Sequence, residues 1–206
     1  MKLSILILTH NRPKLLNRLL SSIFNNFDKK LEFEILINND SDLLDEYLYN
    51  IPSSINHTLY FFKNNNLGQL YFELFKRAKG EFIWFLEDDD YLKNDIFNKL
   101  SFTNDIMYCN YHAYDPKLAI SQYKSFEIET INNHFQFSQI IFRKKLLKLT
   151  EFPLNNNLDN DWNIFQIIRN KTKDILIIKS LIFYQTCDGK DNISFPQFNK
   201  DNRWPN

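Results

Sequence analysis

Glycine is scarce in this chain, three in 206 residues, and the phosphate-cradling loops that depend on it are missing. Neither a P-loop nor the protein-kinase motif set can be traced, which excludes the common phosphoryl-transfer frameworks. Cysteine is scarcer still. Cys109 and Cys187 stand far apart without metal-ligand spacing, so no disulfide scaffold is expected and a reducing compartment fits. Long apolar runs are also lacking. Leu3–Leu8 is the longest, far below the ~20 residues that span a bilayer, and no basic segment precedes it in the manner of a secretory leader. Charge of one sign is absent too: 25 basic residues balance 25 acidic ones, which argues against a general nucleic-acid coat. A cytoplasmic protein, free or peripheral to a membrane, is the expectation these absences leave. The four histidines, His10, His57, His112 and His134, are scattered and are expected to be structural or superficial.

What the chain does have is aromatic bulk, with 20 Phe, 10 Tyr and 3 Trp. Its length suits one domain that buries roughly two-thirds of the unfolded surface. Leu3–Leu8 reads as a strand buried on both faces of a parallel sheet. Pro13 suits the first turn of a helix, in which Leu15, Leu16, Leu19, Leu20 and Ile23 recur at helical spacing. A second strand, Phe33–Ile37, runs into the polar cluster 38–42, which can turn the chain and cap a helix carrying Leu43, Leu44, Tyr47 and Leu48. Leu59–Phe62 is a short third strand, Leu70–Ala78 a helix closed at Lys79-Gly80, and Phe82–Leu86 a fourth strand. Strand–helix alternation through residue 90 predicts a parallel α/β sheet with right-handed crossovers. Ligands of such sheets bind beyond the carboxyl ends of the strands, where each polar cluster falls.

The second half is less regular. Ile106–Tyr111 reads as a strand, 115–135 as irregular and partly β, and Gln139–Leu149 as a short strand joined to a basic helix. Arg143, Lys144 and Lys145 on that stretch read as a solvated face. Asp161–Arg169 is predicted to be an amphipathic helix, with Trp162, Phe165, Ile168 and Arg169 at helical offsets. Ile175–Tyr184 holds one or two strands, and the polar tail from Thr186 is expected to wrap the surface.

Glu87-Asp88-Asp89-Asp90 follows directly on the fourth strand. Four like charges together raise one another's pKa unless a cation is present. The plainest account is a solvated turn, with one Asp capping a helix that starts near Tyr91. The position at a carboxyl edge favours another: hard ions such as Mg²⁺ and Mn²⁺ take one or two carboxylates plus phosphate oxygens. An acid-x-acid triplet there can bridge a metal to a diphosphate. An EF-hand lacks its required spacing.

With these segments in order, the sequence resembles the family 2 glycosyltransferases of the GT-A fold. Residues 4–13 look like the family's opening strand and nucleotide-binding loop, and 37–42 like its V-D-D-x-S-x-D loop. Asn66-Leu67-Gly68 and 78–90 look like its helix and metal-binding strand. Asn160-Asp161-Trp162 is similar to its E-D-W segment. The resemblance spans roughly residues 3–194 and implies an α/β domain over 1–206. Its mostly parallel Rossmann-like sheet would be flanked by helices, with a smaller mixed acceptor-side region. Residues 1–105 would form the nucleotide-sugar half and 106–206 the acceptor half.

The resemblance also assigns roles. Thr9, Asn11 and Arg12 would line the nucleotide pocket, with Asp40, Gly68 and Asp88 also on the donor. Asn38 stands where the family has an Asp that reads uracil, and its amide adds a donor to the acceptor. Glu87 and Asp89 would hold Mn²⁺ or Mg²⁺, Glu87 also facing the donor. Asp161 would be the base of an inverting transfer, with Asp159 its nearest rival in sequence; capping the helix that begins before Trp162 is the plainer role for Asp161 alone. The family's later His is missing from Cys187–Ser194, where Asp188, Asp191 or Lys190 could take over its contact. The implied partners are a UDP-sugar donor and a glycan or glycoconjugate acceptor. A sugar nucleotidyltransferase would need a Gly-rich signature after the first strand, and a non-catalytic carbohydrate-binding protein would leave the ordered carboxyl-edge motifs unexplained.

Overall fold

The computed structural model describes residues 1–26, 31–41, 56–64, 66–115, 120–124, 137–154 and 160–186. One sheet organises them. Strands β1 (Leu3–Thr9), β2 (Phe33–Asn39), β3 (His57–Tyr60) and β4 (Phe82–Glu87) lie in the order β3-β2-β1-β4, all parallel. β1 is central and covered on both faces, with Leu3, Ile5, Leu6 and Ile7 all fully buried. That is why it reads as a near-continuous apolar run and not as an alternation.

Helix α1 (Pro13–Asn25) buries Leu16, Leu19, Leu20 and Ile23, the stripe expected from its spacing. Proline in its first turn forfeits only an N–H that had no partner in the helix. Helix α2 (Leu67–Arg77) buries Leu70, Tyr71, Leu74 and Phe75. Asn66 caps it by accepting the Gln69 N–H at 3.1 Å, and its amide donates to the Leu154 carbonyl at 2.7 Å. The chain leaves α2 through Gly80, where a Cβ would lie 2.4 Å from the Ser4 nitrogen. The close approach needs glycine. Gly80 N–H donates to Ser4 Oγ, Ser4 Oγ donates to Glu34, and Glu34 accepts the Lys79 N–H.

The second half extends the sheet with mixed directions. Strands β5 (Asp90–Leu92), β6 (Ile106–Asp115), β7 (Ile120–Lys124), β8 (Ile140–Arg143) and β9 (Ile175–Thr186) complete it. β8 pairs antiparallel with both β4 and β6, β9 runs parallel to β6, and β5 pairs antiparallel with β9 at the edge. Helix α3 (Asn160–Arg169) covers this half with Ile164, Phe165 and Ile168.

Several expected boundaries moved. β3 begins at His57 and ends at Tyr60, two residues ahead of expectation, because its pairing with Ile35–Asn38 sets the register. β7 supplies the β part of a stretch expected to be irregular and partly β. The basic helix after β8 is instead two short 3₁₀ turns, Lys144–Leu146 and Leu149–Glu151. Arg143 is tied to Glu81 and to Asp105, and Lys144 donates to the Ala78 carbonyl, so this cluster is only partly a solvated face. No helix starts at Tyr91, where the pull of β9 makes a strand. The expected helix over 43–48 and the Cys187–Ser194 segment lie outside the described residues, as does the tail beyond Thr186.

Candidate functional site

The carboxyl ends of β1, β2 and β4 meet at one edge, and their loops are joined there. Asp40 N–H donates to the Thr9 carbonyl at 3.2 Å. Asn11, with a left-handed φ of 52°, donates through Nδ2 to His10 Nε2 at 3.1 Å. That leaves the neutral imidazole proton on Nδ1, which donates to Asp40 Oδ1 at 2.8 Å. His10, expected from sequence to be structural or superficial, takes the structural role and bridges the loops after β1 and β2. Asn39 accepts both the N–H and the hydroxyl of Ser41.

Asn38 is buried, and its amide is engaged with Phe62. Its Oδ1 accepts the Phe62 N–H at 2.9 Å and its Nδ2 donates to the Phe62 carbonyl at 3.1 Å. This pairing pins the chain just past β3 to the end of β2. An aspartate could make only the first of the two bonds, which accounts locally for the amide. Gly68 sits buried in the first turn of α2, behind the Asn66 cap.

β4 ends at Glu87, Asp88 and Asp89 form the turn, and Asp90 opens β5. A solvated turn would be exposed, but Asp88 is 1% exposed, Asp89 3% and Asp90 fully buried, with Glu87 only partly open. Oxygens of Glu87, Asp89 and Asp90 all lie within 4.8 Å of one another. The Arg12 guanidinium, just ahead of α1, meets Asp88 at 2.9 Å and Asp89 at 3.5 Å.

Burial raises the Glu87 carboxyl to about 8, reinforced by the charges of Asp89 and Asp161. Burial likewise raises Asp88 to about 7, against the pull of Arg12. Asp90 is also held well above the carboxylate range by burial, with Glu87 adding to it. The oxygens of Glu87, Asp89 and Asp90, gathered this closely, fit a hard divalent cation, which would offset their negative charge. Asp90 Oδ1 and Asn39 Nδ2 are buried without a hydrogen-bond partner.

The turn is held from two sides. Arg18, Ser22 and the C-cap Asn26 follow one another at four-residue spacing along α1, and each bonds the backbone of the turn or of the chain just beyond it. Arg18 donates to the Asp89 carbonyl at 2.6 Å, Ser22 Oγ accepts the Leu92 N–H at 2.8 Å, and Asn26 Oδ1 accepts the Ile96 N–H at 3.3 Å. From the other side Ser138 accepts the Glu87 N–H at 3.1 Å and donates to Asp90, while its carbonyl takes the Trp84 Nε1 proton at 2.8 Å. Beneath lies an aromatic floor in which Phe85 stacks on Phe137 at 4.2 Å and Tyr71 meets both edge-on. The Tyr71 phenol stays neutral, its pKa raised by burial and then by Glu87 and Asp161.

Asp161 lies in the first turn of α3 and its charge acts on Glu87, so α3 delivers it to the acidic turn despite about seventy residues of separation. Its Oδ1 accepts the Trp162 N–H at 2.7 Å, a contact of the helix-start kind. Asp159 lies outside the described residues. Sequence reasoning missed Arg18, Tyr71 and Ser138. The 18–22–26 polar spacing beside the apolar stripe of α1 could have revealed the first; nothing local marks the other two.

With the geometry established, known proteins give it a context. The model of Glycosyl transferase family 2 matches residues 4–171. An uncharacterized glycosyltransferase of Mycoplasma genitalium is 35% identical over 122 residues, covering 56% of this chain and 39% of that protein. The GalNAc(5)-diNAcBac-PP-undecaprenol β-1,3-glucosyltransferase of Campylobacter jejuni is 33% identical over 110 residues, 48% of this chain and 33% of that one. The chain thus spans about two-fifths or less of these curated relatives. Among solved structures, S. aureus TarS 1–349 matches with a TM-score of 0.66 at 20% identity, covering 90% of this chain and 60% of the other. The same protein in complex with UDP-GlcNAc gives a TM-score of 0.70, also at 20% identity, over 90% and 58%. At that identity the likeness establishes the fold, the GT-A arrangement anticipated from the motifs.

Proposed function

The chain belongs to glycosyl transferase family 2, and from that membership we propose that it moves a sugar from UDP to an acceptor hydroxyl with inversion. The observation that carries this reading is the close trio Glu87, Asp89 and Asp90, two of them buried, with the charge of Asp161 acting on Glu87 from α3. The complexes of TarS with UDP-GlcNAc and with UDP support a uridine nucleotide on the same fold.

In this reading the loops after β1 and β2 receive the nucleotide, and Arg12 sets a positive charge beside its phosphates. Glu87, Asp89 and Asp90 would hold Mg²⁺ or Mn²⁺, which when bound offsets negative charge on the departing diphosphate. Asp161 takes the proton of the acceptor hydroxyl. The oxygen of that hydroxyl bonds to the anomeric carbon from the face opposite the nucleotide, and the bond from that carbon to the diphosphate oxygen breaks. The acceptor is a glycan or glycoconjugate, as the lipid-linked saccharide in the name of the Campylobacter relative suggests.

The test is a panel of nucleotide sugars assayed with Mn²⁺ or Mg²⁺ for release of nucleoside diphosphate. Asp161→Asn should keep UDP affinity while turnover falls by ~10²-fold or more. Asp89→Ala should lose the metal-dependent part of UDP binding, read by calorimetry. Full turnover in the first variant, or release of pyrophosphate from nucleoside triphosphates in place of donor turnover, overturns the reading.

A further inference from the structure

Asp90 is fully buried, and the fold treats its two carboxyl oxygens differently. Oδ2 accepts the Ser138 hydroxyl, while Oδ1 is buried without a hydrogen-bond partner. Ser138 is buried too, and its hydroxyl serves in both senses. It accepts the Glu87 N–H at 3.1 Å and gives its single proton to Asp90. The backbone that carries it is fixed as well. Ser138 is the middle residue of a short 3₁₀ turn, Phe137–Gln139, that leads into β8. Phe137 stacks on Phe85 at 4.2 Å, the Ser138 carbonyl accepts the Trp84 Nε1 proton at 2.8 Å, and Gln139 Nε2 donates to the Cys109 carbonyl at 3.2 Å. The hydroxyl is thereby locked in place against β4 and β6.

We propose that Ser138 is a positioning residue that sets ion selectivity at the acidic turn: by occupying Oδ2 it makes Asp90 a one-oxygen ligand through Oδ1, which favours Mg²⁺ and Mn²⁺ over Ca²⁺. The proposal rests on the reading of Glu87, Asp89 and Asp90 as a cation site. Mg²⁺ demands close, near-ideal octahedral oxygens, and Mn²⁺ shares the octahedral oxygen preference. Ca²⁺ is larger, takes more oxygens, and often binds both oxygens of one carboxylate. A carboxylate tied at one oxygen to a locked hydroxyl cannot swing that oxygen onto an ion. Without the hydroxyl, Asp90 is free to turn and present both oxygens, which suits the larger ion.

Mn²⁺ is the probe. Its binding to the chelator-stripped full chain at pH 7.5 is read from the free-ion EPR signal, with Ca²⁺ as competitor. The parent should prefer Mn²⁺ by at least ~10-fold. Ser138→Ala and the near-isosteric Ser138→Cys should each weaken Mn²⁺ by ~10-fold or more, the scale on which metal sites lose affinity when a ligand loses its outer hydrogen-bond partner. Ca²⁺ affinity should stay within about 3-fold of the parent or rise. The ratio of the two ions decides, because a general loosening of the turn would weaken both alike. Thermal melts establish that the variants are folded at the assay temperature, and either variant suffices. A Mn²⁺ preference that survives the substitution, or an equal loss of both ions, overturns the proposal and leaves the cation site standing. A parent that binds neither ion overturns the reading of the site and the proposal with it.

Discussion

Raising the pH from 5 to 8 in the absence of divalent ions should destabilise this protein, and Asp88 sets the scale. In the unfolded chain its carboxyl is ionised from about pH 5 upward. In the folded protein, at 1% exposure, burial keeps the proton on until about pH 7. Between those limits the folded state holds a proton that the unfolded state has released, so stability falls as pH rises. A group raised to about 7 contributes about 2.7 kcal/mol at pH 5 and almost nothing at pH 8. Glu87, raised to about 8, acts in the same direction, but it is partly open and shares its charge with Asp89, so only a fraction is added. At about 2–4 °C per kcal/mol for a chain of this size, the midpoint should drop by roughly 5–10 °C. Thermal melts at pH 5, 6, 7 and 8 in the presence of a chelator measure it. Asp88→Asn should remove most of the slope, although it lowers stability at every pH by leaving Arg12 without that partner. Millimolar Mn²⁺ should reverse the slope, because the cation binds the ionised carboxyls. A chelated protein whose stability is flat or rises from pH 5 to 8 would refute the account of the turn as buried and short of positive charge.

Two further substitutions test the frame around the site. Gly80→Ala sets a Cβ 2.4 Å from the Ser4 backbone nitrogen, which no side-chain rotation relieves. It should cost about 1–3 kcal/mol or more, and an unchanged calorimetric midpoint would contradict the close approach of β1. Asn38→Asp brings the position to the family's usual residue, yet it loses the donor to the Phe62 carbonyl and faces that oxygen with a carboxylate. A loss of about 1–3 kcal/mol is expected at pH 7.5, and equal or greater stability in urea would mean that the amide does not pin this strand end.

The parallel half was legible because its signals are local. β1 and β2 are buried on both faces and so carry apolar runs, α1 carries its stripe, and Asn66 carries its cap. The mixed half was harder because partners far along the chain decide it. Asp90–Leu92 becomes a strand only because Phe183–Gln185 lies opposite, and Lys144–Leu146 tightens into a 3₁₀ turn where the chain leaves β8. The acidic turn could be placed at a sheet edge from sequence, but its burial could not. Burial comes from Phe137, Ser138 and α1, none of which adjoins it in the chain. Asn38 shows the opposite limit: motif matching found the position, while the bond pair that occupies its amide is visible only in three dimensions.

Five carboxyl groups, Glu87 to Asp90 and Asp161, converge on one end of the sheet, and among the described residues positive charge is shared unevenly between them. Arg12 answers Asp88 and Asp89. Among the described residues no cation lies within ion-pair range of Glu87 or Asp90. Left to themselves such groups would spread the turn and admit water, lowering their mutual repulsion. The fold prevents this with backbone bonds: Arg18 holds the Asp89 carbonyl, Ser22 the Leu92 amide, and Ser138 the Glu87 amide. The remaining release is protonation, and burial first, with the neighbouring charges adding to it, raises the pKa of Glu87, Asp88 and Asp90. A site held in that condition gains most from a ligand that delivers concentrated positive charge to oxygen, and the same bonds that prevent relaxation keep those oxygens close enough to share one ion.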